Sequence, residues 1–155
     1  GYLQRSGTEY RLGLAVLRGT LMEERMSANL LDRSVGFQAA ESALREGEAL
    51  AATSPVAPTS GCDANSVCSL PDASATDRWL NSGFGGWRDS TVNLGTLGGT
   101  PQYFIEFMGL APTWPGCDRK IPVDDLCLSP RYRITARSQS ADRAQVLLQT
   151  NFIVQ

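Results

Sequence analysis

Residues 14–50, LAVLRGTLMEERMSANLLDRSVGFQAAESALREGEAL, contain no proline and consist largely of Ala, Leu, Met, Glu and Arg, the residues that cost least in a helix. The stretch reads as one helix of roughly 55 Å at ~1.5 Å rise per residue. With successive residues ~100° apart, Met22, Met26, Leu30, Phe37, Ala40, Leu44 and Ala51 fall on one face. Leu14, Leu17, Leu21, Ala28, Leu31 and Val35 fall on a second azimuth. One domain core uses one stripe. The first is therefore expected to lie on the domain's own sheet, and the second to meet another subunit. Gly36 and Gly47 each cost ~1 kcal/mol relative to Ala, which marks them as points of close packing or local bending. The helix is expected to end by Thr53, because Ser54-Pro55 and then Pro58 forbid its continuation. Residues 1–13 carry glycines and mixed polarity without a stripe. They read as a frayed lead-in or an appended remnant ahead of a domain at 14–155, with the helix at 14–52.

The last third reads as β-structure. Gln102–Met108 alternates Tyr103, Ile105 and Phe107 against Phe104, Glu106 and Met108. Arg131–Arg137 places Tyr132, Ile134 and Ala136 inward, with Arg131, Arg133, Thr135 and Arg137 outward. Ala144–Val154 alternates through Val146, Leu148 and Phe152, and the polar link at residues 138–142 joins the last two strands as an antiparallel hairpin. The fold class that follows is α+β: one long N-terminal helix on an antiparallel sheet of three to five strands, with sheet and a long loop occupying 100–155. Residues 53–99 form an irregular region, with a helical turn expected at Asp77–Leu80 and a short strand at Ser90–Leu94. Trp79, Phe84 and Trp87 are expected to cover a sheet or helix edge; stacking on carbohydrate is the sharper alternative.

Four cysteines stand as Cys62/Cys68 and Cys117/Cys127 in loops rich in Gly, Pro, Asp and Ser. Two local disulfides fit best and imply an oxidising compartment. Three connectivities are open, including Cys62–Cys117 with Cys68–Cys127. Spacings of five and nine intervening residues, in a chain with no histidine, argue against structural zinc.

The chain is long enough to bury a core without metals, and its formal charge of -2 gives no electrostatic case for nucleic acid. There is no apolar run of the ~18 residues a membrane span requires. The lack of histidine excludes Ser-His-Asp and Cys-His catalysis. No phosphate-binding glycine loop links a strand to a helix around Gly83–Gly86. The carboxylate pairs Glu23/Glu24 and Asp124/Asp125 read as solvated charges rather than an acid–base couple. Asp118, Asp124 and Asp125 in the cysteine loop could supply oxygen ligands to calcium, although their spacing matches no calcium-loop consensus. Arg131, Arg133 and Arg137 form a basic strip, read as solvated or as facing an acidic partner. The expectation is a non-enzymatic protein with no catalytic residue, cofactor or metal.

Two strings carry a family resemblance. The helix contains EERMSANL (residues 23–30) and FQAAESALR (residues 37–45), and the C-terminal third contains RYRITARSQSADRAQVLLQ (residues 131–149). These resemble the post-membrane helix and the closing hairpin of PilX-type minor pilins of type IV pili. The resemblance implies a pilin-like fold and membership of a minor-pilin complex at the pilus tip that helps to initiate assembly. It also implies partners among the other minor pilins, the major pilin and a large PilY-type tip adhesin, and roles in twitching motility and cell adhesion. Members of that family begin with a prepilin peptidase site and an apolar segment that anchors them in the inner membrane. Neither is present here, so the chain is expected to be the soluble periplasmic part of a protein later assembled into the extracellular pilus, touching a membrane only through the missing segment. The alternatives are a minor pseudopilin of type II secretion and a secreted glycan- or surface-binding adhesin module that uses the Ala111–Pro130 loop or the Trp79/Trp87 region.

Overall fold

The computed structural model describes residues 2–92, 99–139 and 145–155; for residues 2–23 and Asn29 it describes the backbone alone. The chain runs α1 (Tyr2–Ala51), β1 (Val67–Cys68), β2 (Arg88–Asp89), β3 (Gln102–Pro112), β4 (Leu128–Arg137) and β5 (Leu147–Ile153), with short 3₁₀ turns at Arg78–Leu80 and Cys117–Arg119. It is an α+β fold with one long helix on one sheet.

The helix starts at Tyr2, twelve residues before the start expected at Leu14. Gly7 and Gly13 weaken this stretch, but nothing in it bars a helix, since no proline occurs and each glycine costs only about 1 kcal/mol. It ends at Ala51, where Ser54 adopts a left-handed φ of 52° and Pro55 follows.

The three long strands are antiparallel in the order β3-β4-β5, and each alternates as its sequence does. Both short strands lie along the other edge of β3. β2 pairs antiparallel with Tyr103 and Gln102, whereas β1 pairs parallel with Ile105 and Glu106, so the sheet is mixed. The strand expected at Ser90–Leu94 forms just before it, at Arg88–Asp89; Asn93 and Leu94 lie outside the described residues. Of the third expected strand, Ala144 lies outside them, as do residues 140–142 of its link. β3 runs past Met108 to Pro112 through a register shift between Phe107 and Leu110, where Gly109 has φ 91°.

The sheet separates two cores. On the helix side Tyr103, Ile105, Tyr132, Ile134 and Ala136 are buried against Ala43 and Ala51, with Leu44, Leu50, Phe107, Phe152 and Val154 packed around them. The Tyr132 hydroxyl donates to the Pro55 carbonyl oxygen at 2.7 Å and ties the chain leaving the helix to β4. The opposite face is covered by the segment between helix and sheet. Phe84 and Trp87 pack edge-on against Phe104, with ring centroids 4.8 Å from it. Both disulfides are local, Cys62–Cys68 and Cys117–Cys127, which leaves no cross-link between the two loops.

Candidate functional site

The C-terminal turns of α1 meet the sheet through its smallest residues. Gly36, Ala39, Ala40, Ala43, Gly47 and Ala51 are all buried. They recur at helical spacing and form a face rotated by roughly 60° from the stripe drawn through the large apolar residues. Small side chains let the helix backbone come close to the strands. At Gly47 the approach is tight: a Cβ there would sit 2.5 Å from Ile134 Cγ2 and 3.2 Å from Tyr103 Cδ2.

This corrects the expected intradomain face. Leu44 does pack against the sheet core and Ala40 is buried, but Met26 is 62 % exposed, Leu30 65 % and Phe37 49 %. Met26 and Leu30 precede Gly36, the first buried position among the described helix side chains, and both stand exposed. Phe37 is turned aside by the small-residue face. The Met22 side chain lies outside the described set, as do those of Leu14, Leu17 and Leu21. Of the second stripe, Leu31 is 66 % exposed, Ala28 is exposed and Val35 is half-buried.

The result is a helix whose backbone continues from Val35 back to Tyr2, roughly 50 Å at ~1.5 Å per residue. Its described side chains from Glu24 to Ser34 are exposed, apart from a half-buried Asp32. Met26, Leu30 and Phe37 on one azimuth and Leu31 on the other are thus apolar side chains left exposed along the helix. The signal that identifies this exposure in the sequence is the Gly36–Ala40–Ala43–Gly47 series. Hydropathy scoring passes over that series because glycine and alanine bring little apolar area.

The other expected interaction features are spent inside the domain. Glu106, fully buried, accepts hydrogen bonds from Arg78 Nη1 at 2.8 Å and Arg133 Nε at 3.0 Å. The Arg133 guanidinium lies over Trp79 at 4.6 Å and that of Arg137 over Trp87 at 4.0 Å. Arg137 also donates to Gln102 Oε1, and burial pulls its pKa below the ordinary guanidinium value. The basic strip is therefore neither solvated nor free for an acidic partner at Arg133 and Arg137. One face of each indole carries a guanidinium.

In the Cys117–Cys127 loop, Asp124 Oδ1 accepts from the Leu126 N–H, and Thr113 Oγ1 donates to the carbonyls of Leu126 and Cys127. Among the described residues no three His, Cys, Asp or Glu side chains gather as metal ligands. No described helix is long and apolar enough to cross a membrane.

Comparison with known families matches residues 12–45 to the family described as PilX N-terminal, and residues 48–154 to that described as type IV pilus assembly protein PilX C-term. No curated protein and no solved structure matched the chain. The first match covers the protruding helix and the second the helix end, the sheet and both disulfide loops, and together they place this chain in the PilX family of type IV pilus assembly proteins.

Proposed function

We propose that this protein is a non-enzymatic minor pilin that helps to initiate type IV pilus assembly, working in the periplasm within a complex of minor pilins that becomes the pilus tip. The protruding part of α1 is the assembly surface. The observation that carries this reading is the exposure of Met26, Leu30, Leu31 and Phe37 on a helix whose described contacts with the sheet core lie between Ala43 and Ala51. Helices of this kind take most of their stability from packing rather than propensity, so the protruding part calls for neighbours. Half-exposed as they are, these four side chains would contribute roughly 4–8 kcal/mol gross on burial, before the cost of association. By sequence spacing, Leu14, Leu17 and Leu21 share the Leu31 azimuth and would continue that stripe toward the N-terminus. The partners are the helices of sibling minor pilins, with the major pilin and a large tip adhesin beyond them.

The test is Leu30→Glu/Leu31→Glu in the host bacterium, with surface pili counted by electron microscopy. Neither residue touches the domain's core, so the protein should persist at its normal level while piliation collapses. A second variant with glutamates at Leu17 and Leu21 should behave alike. Normal pilus numbers with either variant stably present would refute the reading.

A further inference from the structure

We propose that the free edge of β5 is a self-pairing site, at which β5 of a second copy of this chain adds antiparallel across a two-fold axis to make one continuous sheet. β5 ends the strand order, and among the described residues no strand pairs with its outer side. The opposite edge, along β3, is paired with β1 and β2 over Gln102–Glu106. Exposed edges are usually guarded by charges, proline or bulges, because an unpaired ladder recruits other strands. Leu147–Ile153, LLQTNFI, has none of these and pairs with β4 without interruption. Its neighbour β4 carries Arg131, Arg133 and Arg137.

The occupant follows from the register. The Val154 N–H donates to the Pro130 carbonyl and the Ser138 N–H to the Val146 carbonyl, so the even-numbered residues turn their backbone groups toward β4. By alternation, Leu147, Gln149, Asn151 and Ile153 turn theirs outward. Centring two antiparallel copies on Thr150 places Leu147 opposite Ile153, Leu148 opposite Phe152, and Gln149 opposite Asn151. Apolar side chains then meet apolar ones and amides meet amides, and no charges are opposed. In the same register the four odd-numbered pairs are the hydrogen-bonded ones, giving about eight new backbone bonds. Leu148 and Phe152 lie on the helix side, so pairing extends the core across the axis. A single strand pair covers less area than the ~1,200 Å² of a stable standard interface, so the dimer is a weak one, reinforced where copies are held close together.

The experiment is analytical ultracentrifugation of the full chain up to about 1 mM, a range suited to weak association. Wild type should show a monomer–dimer equilibrium. Gln149→Lys/Asn151→Lys, which opposes like charges in both central pairs, should weaken it at least tenfold. Gln149→Lys/Asn151→Glu, which opposes unlike charges, should restore it. In an otherwise wild-type chain, Thr150→Cys should cross-link to itself under mild oxidation, because residue 150 meets its own copy at the axis. Leu147→Cys should cross-link only when mixed with Ile153→Cys. A monomer at every concentration, a dimer indifferent to the lysine pair, or no cross-link through position 150 would each overturn the proposal.

Discussion

Replacing Gly47 by alanine tests whether the helix lies on the sheet as closely as described. In an ordinary helix this change stabilises by ~0.8–1 kcal/mol. Here the new methyl carbon would stand 2.5 Å from Ile134 Cγ2, against the 3.5–4.0 Å of normal carbon contacts. Ile134 is fully buried, and its Cγ2 branches from Cβ, so it cannot swing clear as a long side chain would. The helix must lift by about an ångström or Ile134 must leave its rotamer. Overpacking of this kind costs about 2–3 kcal/mol. Gly47→Ala should therefore destabilise by a net ~1–2 kcal/mol, lowering Tm by roughly 3–6 °C in a domain of this size. Removing the obstacle reverses the sign. In an Ile134→Ala background the same change should stabilise by ~0.5–1 kcal/mol, a coupling of about 2 kcal/mol between contacting residues. Urea denaturation of the four proteins, followed by tryptophan fluorescence, measures the cycle. A neutral or stabilising effect in wild type, or equal effects in both backgrounds, would refute the close approach.

Three further outcomes follow from the cores, the loop and the buried phenols. Glu106→Gln leaves Arg78 and Arg133 without the carboxylate they share and should cost about 2–4 kcal/mol in urea midpoint analysis, because breaking a buried pair strands its partners. Cys117→Ser/Cys127→Ser opens a local ring and should cost about 2–3 kcal/mol by the same assay while far-UV circular dichroism keeps the sheet signal. Burial raises the phenol pKa of Tyr103 and Tyr132 above the ordinary 10.0, so the folded state holds those protons longer than the unfolded state does. Their contribution is whole below pH 10 and is lost as pH climbs through the raised values, so stability should fall on the alkaline side of pH 10. Absorbance titration at alkaline pH should show tyrosines ionising late, and Tyr132→Phe should remove one of them.

The sheet was legible because its strands alternate. Tyr103, Ile105, Tyr132 and Ile134 face the helix as period two requires, and Thr135 and Glu106 face the other way. What alternation does not reveal is that the second face is also a core. Glu106 and Thr135 are fully buried there, because Arg78 and the Trp79–Trp87 segment fold back from a distant part of the chain. The helix was legible as an element but not in phase. Large apolar residues dominate any hydropathy stripe, yet glycine and alanine make the contact, since what decides close packing is the space a residue leaves empty. That same displacement leaves Met26, Leu30 and Phe37 exposed, so the proposed assembly surface is broader than the Leu31 stripe alone. The helix start at Tyr2 is not legible because residues 1–13 combine glycines and mixed polarity without a stripe, although each glycine's cost is small beside that of proline.

The central claim is that the exposed helix stripe binds sibling pilins. The direct measurement is the affinity of the full chain for the other minor pilins, by isothermal titration calorimetry, for wild type and for Leu30→Glu/Leu31→Glu. The account predicts at least tenfold weaker binding for the variant, with an unchanged unfolding midpoint. Equal affinities in a folded variant would contradict it.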